Sequence, residues 1–285
     1  MDTPLIERRR IEYRTRGRGH GAITRLVSPS GTGERIKPFV FLDSFDAPAA
    51  EGPRFGIHPH SGIATITLLL QGSLRYEDTT GKNGVLHAGG VEWMRAGNGV
   101  WHDGEPLPGP RMRGLQLWLA LPAAEENGPA ESQYLAPQSV PRAGPARVIL
   151  GSHGGARSPI RAPTGADYLD VRLAEGERWE YQPAAGHDVA WLYVYQGSLH
   201  ADGEAVARGE LVVFDEGEAA LRFESRGETG VVLGSAVKHP HDLVLGYYSV
   251  HTSTQALEAG ESEIRRIGER LRESGRLSRP FATNA

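Results

Sequence analysis

Thr65-Ile66-Thr67-Leu68-Leu69-Leu70-Gln71-Gly72-Ser73-Leu74 and Trp191-Leu192-Tyr193-Val194-Tyr195-Gln196-Gly197-Ser198-Leu199 decide how this chain folds. Each is an apolar run of strand length that ends in the same tetrapeptide, Gln-Gly-Ser-Leu. Runs this short, bounded by glycine, read as buried strands followed by tight turns. The segments downstream correspond as well. Ala88-Gly89-Gly90-Val91-Glu92-Trp93-Met94-Arg95-Ala96-Gly97 follows the first copy, and Arg208-Gly209-Glu210-Leu211-Val212-Val213-Phe214-Asp215-Glu216-Gly217 follows the second. The pattern of strand, glycine turn and strand thus occurs twice, which predicts an all-β chain of two similar barrel or jelly-roll halves.

Working outward, residues 1–122 form the first half and 164–285 the second. The stretch 123–163 between them is rich in proline and reads as a connector without long regular elements. Near the C-terminus, Ile264, Ile267 and Leu271 fall on one helical face, with Ser262 placed to cap the helix. We expect a short amphipathic helix there, covering a sheet, although Gly268 sits awkwardly within it.

His58-Pro59-His60 lies just before the first repeated strand. On a strand, residues i and i+2 share a face, so the two imidazoles stand side by side. His102 follows a glycine-turn strand of the length needed to return to the same barrel mouth. Three histidines with open positions are a common way to hold a divalent metal for chemistry, whereas a lone His-x-His pair is more often a surface feature. The repeat serves as a control. Counted from the shared motifs, the three histidines correspond to Pro183, Ala185 and Arg222, so the set belongs to one half only. His187 has no partner two residues away.

The composition narrows the chemistry. The 285 residues include 37 glycines and 19 prolines, spread along the chain as suits many short strands. There is no cysteine, which excludes disulfides and thiolate metal sites. A net charge of −4 leaves no footprint for direct nucleic-acid binding. The basic cluster Arg8-Arg9-Arg10 with Arg14, Arg16 and Arg18 reads as the solvated face of an N-terminal strand. The few lysines set against many arginines fit a GC-rich bacterial source. The start Met1-Asp2-Thr3-Pro4-Leu5-Ile6-Glu7-Arg8 has no apolar core of a secretory signal, and no apolar run approaches membrane-spanning length. The expectation is a cytoplasmic protein without membrane contact, and a monomer. Gly31-Thr32-Gly33 is a turn with no helix after it, so no nucleotide fingerprint is present.

The chain resembles the pirin family, whose members are bicupins. The resemblance rests on Phe41-Leu42-Asp43-Ser44-Phe45, His58-Pro59-His60-Ser61-Gly62, Gln71-Gly72, Val91-Glu92-Trp93-Met94-Arg95-Ala96-Gly97, Gly99-Val100-Trp101-His102, and Gly114-Leu115-Gln116-Leu117-Trp118-Leu119-Ala120-Leu121-Pro122. It implies two tandem cupin (jelly-roll β-barrel) domains, with one metal in the first and an empty second. It also implies that His58, His60 and His102 are metal ligands and that the ion is Fe(II), with Zn, Mn, Ni, Co or Cu also compatible with such donors. The family's fourth ligand is a glutamate two residues after the third histidine, but here that position is Gly104. Asp103 and Glu105 flank it, and a one-residue bulge would bring Glu105 onto the face of His102. We therefore expect Glu105 as fourth ligand and proton acceptor, with Asp103 or water as the alternative fourth ligand. A second departure is Ala64, where the first cupin motif usually carries a glutamate that is not a direct ligand.

The activity that the resemblance implies is quercetin 2,3-dioxygenase-type oxidation of a flavonol or similar small aromatic. The competing reading is a non-enzymatic, metal-dependent regulator that binds a protein partner. Phe55, Trp93, Met94, Trp101 and Met112 flank the ligands and divide between a pocket wall and the core. Asp43, Asp78 and Glu92 are read as structural, serving turns and strand edges.

Overall fold

The computed structural model describes residues 8–54, 56–162 and 165–277. Residues 1–7, Phe55 and Pro163, which the sequence reading used, lie outside these. Contacts divide the chain into two compact units. One holds Gly19–Ser139 together with the segment from His239 onward, and the other holds the segment up to Arg18 together with Val140–Lys238.

In the first unit a seven-stranded sheet runs in the order Glu131–Leu135, Val91–Arg95, Ile63–Gln71, Met112–Ala120, Phe39–Ala47, Ile23–Val27, Arg18–His20. A four-stranded sheet runs His58–His60, Val100–Pro106, Ser73–Asp78, Asn83–His87. The second unit repeats this plan. Its seven-stranded sheet is Ile11–Thr15, Leu211–Phe214, Val189–Gln196, Thr229–Ala236, Asp167–Leu173, Ala146–Leu150, Arg142–Ala143. Its four-stranded sheet is Arg178–Tyr181, Leu221–Ser225, Ser198–Ala201, Glu204–Ala207. The expected all-β, two-barrel architecture is present. The repeated Gln-Gly-Ser-Leu is explained by its glycines: Gly72 (φ 88°) and Gly197 (φ 69°) turn the chain in the left-handed region. A Cβ there would lie 2.7 Å from the Arg111 carbonyl oxygen or 2.3 Å from that of Glu228.

The ends of the chain fall differently from the sequence boundaries. The strand Ile11–Thr15 pairs with Leu211–Phe214, so it edges the second barrel and not the first. Arg9 is buried, donating from Nε to the Asp215 carbonyl and from Nη2 to that of Asp188, both at 2.8 Å, so the arginine cluster is not simply a solvated face. The connector is shared between the units: Glu131–Leu135 pairs with Val91–Arg95, and Ala146–Leu150 with Asp167–Leu173.

The helix spans Thr254–Glu273 and belongs to the unit that holds the histidines. It begins earlier than predicted. Its cap is Ser253, which accepts from the Ala256 amide, and not Ser262. Gly260 and Gly268 obscured it in the sequence because they serve packing. A Cβ at Gly260 would sit 2.5 Å from Ser61 Oγ, and one at Gly268 would sit 2.8 Å from the Trp101 ring. Trp101 packs with Ile264, Ile267 and Leu271 and donates Nε1–H to the Ile264 carbonyl at 2.9 Å. No helix among the described residues is long and apolar enough to cross a membrane.

Candidate metal centre and its cavity

His58 and His60 lie on a three-residue strand that pairs antiparallel with Val100–Pro106, His102 standing opposite His58. Period-2 alternation and this pairing bring three rings together, with ligand atoms all within 4.8 Å of one another. Each Nδ1 is committed outward. That of His58 meets the Gly56 carbonyl at 2.8 Å, that of His60 the Tyr248 carbonyl at 3.1 Å, and that of His102 the Glu92 carboxylate at 3.4 Å. All three partners can only accept, so each Nδ1 carries the proton and each Nε2 carries a lone pair. The Nε2 atoms of His58 and His102 face each other at 3.1 Å. Opposed lone pairs at that distance repel unless a cation lies among them, so the donor set fits a divalent metal with nitrogen ligands.

Electrostatics agree with this tautomer. Burial, reinforced by His102, pushes His58 down to about 3. Burial, with both neighbouring imidazoles, holds His60 well below its ordinary value. Both rings are therefore neutral donors near pH 7. Glu92, for which the sequence predicts a turn or strand-edge role, is a buried carboxylate behind His102. Burial opposes its ionisation, but the hydrogen bond from His102, with those from the Thr67 and Tyr134 hydroxyls, keeps it below the usual range. The Tyr134 hydroxyl shares its one proton between Asp78 at 3.0 Å and Glu92 at 3.3 Å. Its phenol is pushed up by burial first, then by Glu92 and Asp78.

Glu105 is not brought to the histidines. Val100–Pro106 pairs with Ser73–Asp78 in unbroken register, His102 opposite Asp78, Gly104 opposite Tyr76 and Glu105 opposite Arg75. The bulge that would have turned Glu105 inward is absent, so its side chain takes the other face. It is half exposed and pairs with Arg75 at 3.3 Å and Arg54 at 3.9 Å. Gly104 takes the inward slot and lines the cavity.

The histidines open into a cavity of about 500 Å³. Its walls include Phe41, Trp118, Tyr76, Met112, Tyr247 and Tyr248. Phe41 and Trp118 stack at 4.0 Å, and Trp118 meets the His60 ring edge-on at 4.9 Å. Trp93, Met94 and Trp101 are core instead.

The second barrel has no counterpart to this site among its described residues. By strand order, the partner of His58–His60 is Arg178–Tyr181 and the partner of the His102 strand is Leu221–Ser225. The inward residues are Trp179, Tyr181, Leu221 and Phe223, which fill the barrel. The counts to Pro183 and Ala185 drifted because the link to the next strand is residues 61–62 in the first barrel and 182–188 in the second, and the count to Arg222 because the link before its strand is residues 96–99 in the first and 215–220 in the second. Arg222 points outward to Glu180 at 2.9 Å.

A family model described as Pirin matches residues 21–119. A pirin-like protein of Caulobacter vibrioides is 36% identical over 225 residues, 75% of this chain and 81% of that protein. The chain belongs to the pirin family. Another relative, from Pseudomonas aeruginosa and named "Putative quercetin 2,3-dioxygenase", is 37% identical over 240 residues, 77% of this chain and 84% of that one. The crystal structure of quercetin 2,3-dioxygenase from Acinetobacter baumannii superposes with a TM-score of 0.83 at 21% identity, covering 91% of this chain and 98% of the other, which establishes the shared fold.

Proposed function

We propose that this pirin is a metal-dependent oxygenase of flavonols or similar small aromatics, working at the three-histidine centre. The observation that carries the reading is the convergence of three Nε2 lone pairs at one end of an aromatic-walled cavity. The name of the Pseudomonas aeruginosa relative, "Putative quercetin 2,3-dioxygenase", supports the choice of substrate class. When bound, a divalent metal supplies Lewis acidity toward an aromatic hydroxyl and, if it is iron, redox chemistry with O₂. The chain's own contributions are separate from this. The stacked Phe41 and Trp118 give an apolar wall beside the histidines from which water is excluded. The Tyr248 ring, 5.7 Å from His58 and 5.9 Å from His60 between centroids, adds another wall beside the histidines. Glu92 holds the proton on His102 Nδ1 and so keeps Nε2 a donor. Glu105, directed at Arg75, has no part in this mechanism.

The test is an aerobic assay of metal-loaded protein with quercetin, following loss of its absorbance and uptake of O₂. Wild type should turn over and His60→Ala should lose at least about a hundredfold in rate, on the scale set by removing a metal ligand. Equal rates for the two proteins would reject the proposal.

A further inference from the structure

The floor of the cavity carries a row of polar side chains that the fold does not require. Across the seven-stranded sheet of the first unit, Arg25 stands opposite Asp43, Asp43 opposite Gln116, Gln116 opposite Thr67, and Thr67 opposite Glu92. Directly opposed residues present their side chains on the same face, so these five form one continuous line. All five line the cavity. The second unit supplies the control. Its corresponding line is Val148, Leu169, Leu233, Leu192 and Val212, each opposite the next. The correspondence holds in sequence as well as in strand order. Thr67 and Leu192 stand at the same offset before Gln-Gly-Ser-Leu, and Glu92 and Val212 at the same offset after Gly89 and Gly209. The aliphatic line is completely buried. The same sheet is thus built once with aliphatic residues and once with polar ones. Burying polar groups is costly unless each is satisfied, so the polar version points to a ligand and not to the barrel.

The chemistry of the row shows which groups remain for that ligand. Asp43 accepts from Arg25 Nε and, at 3.0 Å, from Nη2. The guanidinium also lies 3.9 Å above the Phe41 ring. Edge and face are therefore both fixed, and Nη1 is the remaining edge. Thr67 Oγ1 lies within hydrogen-bond reach of Glu92 Oε2 and 3.0 Å from Gln116 Oε1. A hydroxyl has one proton, and an ionised carboxylate only accepts, so that proton goes to Glu92. The Gln116 amide must then turn its NH₂ toward Thr67, which leaves its carbonyl oxygen as an acceptor in the cavity wall.

We propose that Gln116 and Arg25 determine specificity, reading polar substituents on the part of the aromatic substrate that lies away from the histidines. Gln116 accepts from a ring hydroxyl, and Arg25 donates to a phenolate or carboxylate. Two strand spacings separate them, roughly 10 Å, so they address groups on different rings. The substrate class is a multi-ring polyphenol, not a single-ring phenol. Asp43, Thr67 and Glu92 are positioning residues within the row. This inference rests on the reading of the site as one for aromatic substrates.

The test measures binding without turnover, by anaerobic titration of metal-loaded protein with quercetin and with 3-hydroxyflavone. The latter keeps the hydroxyl next to the ring carbonyl and lacks the others. Wild type should bind quercetin about tenfold or more tightly over 3-hydroxyflavone, the scale of one or two well-made hydrogen bonds. Gln116→Leu, and the double change Arg25→Val with Asp43→Leu that copies the second barrel, should each cut the preference to about twofold or less. Both should do so by weakening quercetin alone. His60→Ala should instead weaken both compounds. Kaempferol and galangin, which lack successive hydroxyls, should fall between quercetin and 3-hydroxyflavone on wild type, a series that needs no variant to fold. Equal binding of all four, or variants that weaken quercetin and 3-hydroxyflavone alike, overturns the inference. Preference without aerobic turnover supports the row and rejects the oxygenase. Turnover without preference does the reverse.

Discussion

At the scale of single residues, the centre is defined by where protons sit. His58 and His60 are held below their ordinary value of 6.5, His58 at about 3. The unfolded chain takes up protons on these rings as the pH falls through about 6.5, while the folded chain resists until far lower. Native stability of the metal-free protein is therefore full above about pH 6.5 and declines as the pH falls from there toward 3. At pH 5 the loss from His58 alone is on the order of 2 kcal/mol, at about 1.4 kcal/mol per pH unit. Thermal melts between pH 7.5 and 5 should show this decline, and His58→Gln should flatten it. A pH-independent melting point would contradict the buried neutral rings. Glu92 acts one bond further back. Glu92→Gln removes the charge that holds His102 Nδ1–H, and metal affinity should drop by about 10- to 100-fold in a chelator competition. Undiminished affinity would mean that His102 is oriented by something else.

At the scale of elements, the decisive object is the strand Val100–Pro106. Its unbroken register fixes His102 and Gly104 on the inner face and Glu105 on the outer one. Glu105→Gln should therefore leave metal binding unchanged. Gly104→Glu should tighten it by about tenfold or more, because it adds a carboxylate on the same face as His102. The change has room, since the atom nearest to a Cβ at Gly104 is Leu74 Cδ1 at 3.8 Å. Chelator competition on the two variants measures both outcomes, and a weaker site in Gly104→Glu would show that this face does not reach the metal. The histidines were legible in the sequence because period-2 spacing is local. The fate of Glu105 was not, because a bulge depends on pairing with Ser73–Asp78, which no local pattern encodes. Glu92 is marked in the sequence by the repeat, where Val212 stands at the equivalent offset, so the strand itself does not require a carboxylate there.

At the scale of the whole molecule, two barrels of one plan have been given different interiors. The barrel plan was readable from the paired Gln-Gly-Ser-Leu motifs, whereas the allotment of the chain ends was not. Pairing of Ile11–Thr15 with Leu211–Phe214 joins residues far apart in sequence, and the C-terminal helix is masked by glycines that admit Ser61 and Trp101. The interiors themselves make the last prediction. In the first barrel, the inward positions of the short strand and its partner carry three imidazoles. In the second, Trp179, Tyr181, Leu221 and Phe223 occupy them, with Trp179 and Phe223 stacked at 5.6 Å. His187 does not restore a site, because its Nδ1 bonds Ser235 at 3.0 Å within a network that runs through Tyr181 to Asp167. Aromatic side chains leave no donor set and no volume for an ion. Elemental analysis of protein loaded with excess divalent metal and then desalted should give one ion per chain for wild type and for His187→Ala, and close to none for His60→Ala. Two ions per chain, or a loss caused by His187→Ala, would place a centre in the second barrel and undo the division between a working interior and a filled one.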